Sequence, residues 1–162
     1  MKNSSLIDRV MAKGVKRRYY RGRDKYSVEH KCLGMEVPAS PQQAYVQLVP
    51  DTGVEGMRKV KHLTITAGAN VVNIGTMYWA IVYVPQGYSP NNLTLVGGSS
   101  IYEPNQNVMC CGVFDFEGGP LRIHCPLSRN LNSGDKIYLV VANTSSASFN
   151  LHCTVSYAIT LQ

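Results

Sequence analysis

The sequence predicts an all-β fold, a sandwich of eight antiparallel strands preceded by a basic N-terminal arm. From about residue 26 onward the chain consists of short segments rich in Val, Ile, Tyr and Thr, which favour strands. Clusters of Gly, Pro, Asn, Asp and Ser separate these segments and predict turns. The same region has no helix-period pattern of useful length, so helices are not expected there.

Eight segments are predicted to be strands, each bounded by turn residues. They are Tyr26–Val37, Gln43–Val49, Met57–Ala67, Thr76–Val84, Asn107–Asp115, Pro120–Pro126, Lys136–Asn143 and Phe149–Leu161. Met77–Val84 and Ile137–Ala142 are almost continuously apolar, which is typical of interior strands covered on both faces. Leu151–Ile159 instead alternates between apolar and polar residues, as a strand with one buried face does. Eight such strands predict a two-sheet sandwich, of which the jelly roll is the common eight-stranded version.

The basic residues concentrate at the N-terminus. The first 31 positions hold ten of the sixteen Lys and Arg residues against three acidic ones, a net charge of +7. From Cys32 to Gln162 there are six basic and seven acidic residues, a net charge of −1. We therefore predict a largely disordered arm over residues 1–25 and a single domain over residues 26–162. A polycationic arm on a near-neutral body favours a polyanionic partner.

The arm combines cations with aromatic rings. The residues expected to contact nucleic acid are Lys13, Lys16, Arg17, Arg18, Tyr19, Tyr20, Arg21, Arg23 and Lys25. The cations would neutralise phosphates without sequence preference, and the tyrosines could stack on unpaired bases. The alternatives are a nuclear import signal and a solvated tail; one basic cluster can serve both import and nucleic-acid binding.

A second basic cluster, Arg58, Lys59 and Lys61, lies in the third predicted strand. Strand alternation places Lys59 and Lys61 on one face and Arg58 on the other. Two roles stay open for the cluster. It either contributes to the nucleic-acid surface or forms interface ion pairs with Glu55, Asp115 or Glu117.

The longest connection runs from Pro85 to Gln106 and carries Tyr88, Leu95 and Tyr102. Connections of about twenty residues are uncommon in compact domains and usually have a function. We expect this one to contact another subunit, the alternative being that it folds over its own sandwich.

Patterns for catalysis and metal binding are missing from the sequence. The five cysteines are an odd number without a secretory signal, which favours reduced thiols. Alternation points His124 and Cys125 to opposite faces, so adjacent His-Cys pairs cannot chelate together. Asp115 and Glu117 are interpreted as solvated acids beside a turn, the alternatives being paired catalytic carboxylates or cation ligands. We expect no enzyme, metal or cofactor, and no membrane contact, since no apolar run reaches about 18 residues.

Several stretches resemble the capsid proteins of CRESS DNA viruses, the circular Rep-encoding single-stranded DNA viruses, in a branch loosely related to circoviruses. They are Gly56–Thr66, Tyr78–Gly87, Tyr102–Val108, Gly119–Arg122, Pro126–Tyr138 and Tyr157–Gln162. The resemblance implies a jelly roll that assembles as about sixty copies into a T=1 icosahedral shell. It also implies an inward-facing arm that packages single-stranded DNA, a location in the virion, and a host-nuclear stage reached through import receptors.

Other functions fit parts of the same pattern. Coat proteins of satellite-type RNA viruses also combine a small sandwich with a basic arm. A nucleic-acid-binding β-sandwich that does not assemble would need the arm and the body but no shell. A jelly-roll lectin or cupin-like enzyme is disfavoured, because a cupin requires a convergent His and Glu metal set.

Overall fold

The computed structural model describes residues 26–53, 55–70, 75–90, 95, 107–115 and 119–160. These residues form nine strands and no α-helix: β1 (Tyr26–Val37), β2 (Gln43–Val49), β3 (Arg58–Ala69), β4 (Thr76–Val84), β5 (Val108–Asp115), β6 (Leu121–Cys125), β7 (Arg129–Leu131), β8 (Lys136–Asn143) and β9 (Phe149–Thr160). All eight predicted segments are strands, and β1, β2, β4 and β8 have the predicted bounds. The predicted arm and the end of the last segment, Leu161, lie outside the described residues.

The strands pair into two antiparallel sheets. Sheet A has the order β1-β9-β3-β6, with β7 also paired to β3, and sheet B has the order β2-β8-β4-β5. One buried apolar cluster takes residues from both sheets, among them Leu63 and Tyr157 from sheet A and Ile81 and Leu139 from sheet B. The two sheets therefore pack face to face, and the predicted all-β, sandwich-like class is confirmed. No helix in the described part of the chain is long and apolar enough to cross a membrane.

The predicted count of eight strands was one too low, because β7 was not expected. Arg129–Leu131 lies between Pro126 and the Asn132–Asp135 turn. The polar residues Ser128, Arg129 and Asn130 are typical of a loop. Its pairing with β3, which sets Arg58 opposite Leu131 and Lys59 opposite Asn130, makes it a strand. A tertiary contact has here overridden local preference.

A β-bulge in β3 decides which residues of that strand face outward. The register with β9 shifts between Lys61 and Thr64, and His62 within this bulge has a φ of 56°. Val60 is buried before the bulge and Leu63 after it, three positions later instead of two. Since side chains alternate along a strand, an unbroken β3 would turn Lys61 and Leu63 to the same face. The bulge lets both buried residues face the core while Lys61 faces outward.

The outer face of sheet B carries a second buried apolar cluster. It comprises Ala80, Val82, Val84, Leu95, Val108, Val140 and Ala142. Leu95, the described residue in the middle of the long connection, packs into this cluster, and its backbone N–H donates to Gln43 Oε1 over 3.3 Å. At this residue the connection thus covers its own sheet, while the predicted contact with another subunit stays a prediction.

Candidate nucleic-acid interface

The predicted binding residues fall into two groups. Lys13, Lys16, Arg17, Arg18, Tyr19, Tyr20, Arg21, Arg23 and Lys25 lie outside the described residues. Lys59 and Lys61 lie on the outer face of sheet A, on either side of the buried Val60. Arg58 does not join them, because it lies on the other side of the strand and its guanidinium donates to the Pro50 carbonyl over 3.1 Å. The structure therefore brings together two of the three predicted residues of β3.

The outer surface around Lys61 is the place where the arm joins the sandwich. The Lys61 ammonium lies 3.5 Å from the centre of the Tyr26 ring, a cation–π contact with the first described residue of the chain. The backbone N–H of Lys59 donates to Thr160 Oγ1 over 2.7 Å, and Thr160 is the register partner of Tyr26. Residue 25 is bonded to Tyr26, so the basic arm is attached beside these two lysines.

A polar pocket of about 370 Å³ adjoins Lys59. It is lined by Lys59, Tyr83, Ser128, Arg129 and Asn130. The Arg129 guanidinium lies 4.1 Å from the centre of the Tyr83 ring, which holds it over the pocket. Two cations, two hydroxyls and an amide, with no carboxylate among the described lining residues, suit phosphate oxygens.

The predicted alternative, ion pairing, receives no support from the described acids. The salt bridges among the described residues join Lys31 to Glu29 and Lys136 to Asp51. Neither of these two salt bridges includes Arg58, Lys59 or Lys61, and Glu117 lies outside the described residues. Intersubunit ion pairs of these residues stay a prediction.

Asp135 anchors the turn behind this pocket. Its carboxylate accepts hydrogen bonds from Tyr83 Oη over 2.7 Å, from the Asn132 N–H over 2.8 Å and from the Gln86 N–H over 3.1 Å. Burial by itself would raise the pKa of Asp135, but these hydrogen bonds outweigh it and hold the pKa below its usual value. The ionised carboxylate fixes Tyr83, and through it the Arg129 guanidinium.

The centre of the outer face of sheet A is a floor of small hydroxyl side chains. One row across the strands reads His30, Ser156, Thr64 and His124, and the next reads Cys32, Thr154, Thr66 and Arg122. The two central strands thus contribute Ser and Thr, while longer imidazole and guanidinium groups stand on the flanking strands. Thr64 Oγ1 and His124 Nδ1 are 3.2 Å apart and hydrogen-bond across the sheet. Such a trough offers hydroxyls in the middle, an imidazole on either side and the Arg122 guanidinium on the β6 side.

All four histidines of the chain are exposed on sheet A: His30, His62, His124 and His152. His30, His124 and His152 share its outer surface with Lys59, Lys61 and Arg122, against one outward-facing strand carboxylate, Glu36, while His62 lies in the β-bulge of β3. The sequence reasoning missed this grouping, as well as Arg122 and Arg129. Alternation predicts that His124 and Cys125 point to opposite faces, but only the strand order shows that His30, His124 and His152 share a face.

The cysteines and acids form no metal or disulfide site in the described residues. All five thiols are unpaired, with Cys125 and Cys153 in the core and Cys32 and Cys111 exposed. Burial raises the pKa of Cys153 to about 11, so this thiol is protonated at neutral pH. Within the described ranges, no three His, Cys, Asp or Glu side chains lie close enough together to hold a metal ion.

Comparisons with known proteins add no family to this picture. No protein-family model matches the chain, and no curated protein is significantly similar to it. What the protein does is therefore inferred from its own residues.

Proposed function

We propose that this chain is a viral capsid protein that self-assembles into a T=1 shell and packages single-stranded DNA. The observation that carries the proposal is the junction at Tyr26, where a basic arm meets the cationic outer face of sheet A beside Lys59 and Lys61. A polyanion held by the arm can continue onto this face without crossing an acidic surface, apart from Glu36 at the far end of β1.

We propose further that the sandwich is a jelly roll. The strand pairing supports this, because it is nested: β1 pairs with β9, β2 with β8, β3 with β6 and β4 with β5. Such nesting follows from folding one long antiparallel pair over on itself, which distributes its strands over two sheets as in a jelly roll. β7 is an addition to this pattern that lengthens the pairing along β3.

The outer face of sheet B supports self-assembly. Tyr78 and Val113 are register partners there and are 38 % and 59 % exposed, and Tyr45, on the same face, is 46 % exposed. Exposed aromatic and branched apolar side chains grouped on a face poor in charge are typical of protein–protein contacts. A second copy of this chain is the occupant that a closed shell would supply.

Charge limits how much of the genome the protein can neutralise. Seven net charges per arm give about 420 in a shell of about sixty copies. Lys59, Lys61 and Arg122 on sheet A would add about 180 more. A kilobase-scale strand carries one negative charge per nucleotide, so mobile cations would have to neutralise the remainder.

The test is the assembly state and contents of the purified full chain. Electron microscopy and native mass spectrometry should show closed particles of about sixty copies. The particles should also contain host nucleic acid, seen as a raised ratio of absorbance at 260 nm to that at 280 nm. A protein that stays monomeric over a range of salt and pH contradicts the capsid proposal. Digestion of the released polymer with DNase or RNase then separates a DNA virus from a satellite-type RNA virus.

A second candidate is a nucleic-acid-binding sandwich that does not assemble. The observation that favours it is that the trough on sheet A is complete within one copy of the chain. Salt-sensitive binding of oligonucleotides by a strictly monomeric protein would identify this function. The capsid proposal differs by predicting a location in the virion and, through import receptors that bind the arm, in the host nucleus.

A further inference from the structure

His152 stands between two glycines on the outer face of sheet A. Its register partner on β1 is Gly34, and its partner on β3 is Gly68. The imidazole is exposed. The row of His152 thus has glycine on β1 and on β3, whereas the rows of Ser156 and Thr154 have a side chain on every strand. No side chain therefore stands directly beside the imidazole on either neighbouring strand.

The space around this ring is a depression of about 570 Å³, which we call the His152 cleft. Besides His152 and the two glycines, its lining includes Cys32, Thr66, Pro120 and Thr154. A Cβ atom at Gly34 would lie 3.6 Å from His152 Nδ1, and one at Gly68 would meet no atom within 4 Å. The backbone thus leaves room that ordinary side chains would fill without strain.

The dimensions of the cleft suit a flat ring. Neighbouring strands lie about 4.8 Å apart, so β9 and β6 are about 9.6 Å apart on either side of β3. A planar ring in van der Waals contact on both faces needs about 7 Å. A base lying over Gly68 would therefore stack on His152 from one side and meet Pro120 of the β6 side from the other.

The polar groups around the cleft match a nucleotide. Thr66 and Thr154 place hydroxyls at its floor, and Arg122 is the register partner of Thr66. Among the described residues, no carboxylate lines the cleft. The strongly basic arm is a poor occupant, since this face already carries Lys59, Lys61 and Arg122 and would repel it.

We propose that the His152 cleft binds a base of single-stranded nucleic acid by stacking on the imidazole, with Arg122 contacting the adjoining phosphate. The proposal rests on the proposed function in that both take nucleic acid as the ligand. It goes further by assigning a base-contacting site within the sandwich. Stacking accepts any base, so the site adds affinity without sequence specificity.

The test measures the affinity of the full chain for an eight-nucleotide oligo-dT and for an abasic oligomer of the same length and charge. Gly68→Val fills the cleft with a side chain that favours strands, and should weaken oligo-dT binding by about 5- to 100-fold. The affinity for the abasic oligomer should not change. Gly53→Val is the matched control, because an added Cβ at Gly53 also meets no atom within 4 Å and Gly53 lies between β2 and β3, outside the cleft.

A second pair of variants separates stacking from charge and from folding. His152→Phe keeps a flat ring and should retain the affinity for oligo-dT, whereas His152→Val should lose it to the same extent as Gly68→Val. Thermal unfolding of each variant verifies that the sandwich is intact. Wild-type affinity for oligo-dT in both Gly68→Val and His152→Val overturns the proposal, as does an equal loss for the abasic oligomer.

The outcomes also distinguish this site from the capsid proposal. Particles that assemble and package normally, with Gly68→Val binding oligo-dT like the wild type, would contradict the cleft alone. A monomeric protein whose oligo-dT affinity falls in Gly68→Val would contradict the shell and support the cleft. If Gly68→Val changed the oligomeric state but not the oligo-dT affinity, the cleft would be a contact between two copies of the chain, and the proposal would be overturned.

Discussion

The outer faces of the two sheets differ although both belong to one sandwich. Sheet A presents three cations, three imidazoles and a floor of Ser and Thr side chains. Sheet B presents Val140, Ala142 and their apolar neighbours, with Tyr78 and Val113 exposed. Its strand charges, Lys136 and Asp115, lie at strand ends.

The contrast indicates what each face contacts. An apolar outer face gains free energy when it is covered, by the long connection at Leu95 and by another copy of the chain around Val113. A face of cations and hydroxyls is better matched to a hydrated polyanion, since burying its charges against protein without partners would be costly. The fold thus separates an assembly face from a nucleic-acid face.

The largest effect is expected from a charge on the assembly face. Val113→Asp places a carboxylate where another copy would pack, and unpaired buried charge is strongly unfavourable. Particles should be lost altogether, while the monomer stays folded because Val113 is 59 % exposed. Electron microscopy measures the loss, and oligonucleotide affinity per chain should be unchanged. Normal particles from Val113→Asp would show that this part of sheet B is not in the interface between copies of the chain.

The next largest effect concerns the turn that supports the nucleic-acid face. Asp135→Asn weakens the hydrogen bonds from Tyr83, Asn132 and Gln86, and should lower the free energy of unfolding at pH 7 by about 3 kcal/mol. Because the pKa of Asp135 is depressed in the fold, its stabilisation is present above the unfolded value of about 3.9 and is lost as the pH falls through the lower folded value. Denaturant unfolding between pH 7 and pH 2 should therefore show a smaller pH dependence in the variant.

Asp51→Asn is the control for this change. Asp51 forms an exposed salt bridge with Lys136 at 3.8 Å, and its loss should cost under about 0.5 kcal/mol. Equal destabilisation by the two substitutions would contradict the role given to Asp135.

A smaller effect is expected from the two lysines on sheet A. Lys59→Gln combined with Lys61→Gln removes two cations beside the arm junction, and should weaken oligonucleotide binding about tenfold at low salt. The slope of log affinity against log salt should fall by about 1 to 2. Arg58→Gln is the matched control, because Arg58 faces away and donates to Pro50. An equal loss in Arg58→Gln would indicate that only net charge matters.

Much of the fold follows from local patterns in the sequence. Turn clusters and β-branched residues located all eight segments, because each strand is short and well punctuated. β7 could not be predicted, since its three residues look like a loop and are ordered by pairing with β3. The direction of Lys61 relative to the core could not be predicted either. The three-residue spacing of Val60 and Leu63 is nevertheless a signal of the β-bulge that sets this direction.

The candidate site was only partly predictable. Alternation placed Lys59 and Lys61 together and Arg58 apart, as the structure does. Arg122 and His152 were not foreseen, because their relation to the lysines depends on the pairing of β3 with both β6 and β9. Such pairings join residues more than fifty positions apart, and no local pattern encodes them.

The division between the two faces is tested most directly by ultraviolet crosslinking of nucleic acid within assembled particles, followed by mass spectrometry of the crosslinked peptides. The account predicts crosslinks in the arm and on the outer face of sheet A, at Tyr26, Lys61 and His152. It predicts none at Tyr45 or Tyr78 on sheet B. Crosslinks at the tyrosines of sheet B, with none on sheet A, would contradict it.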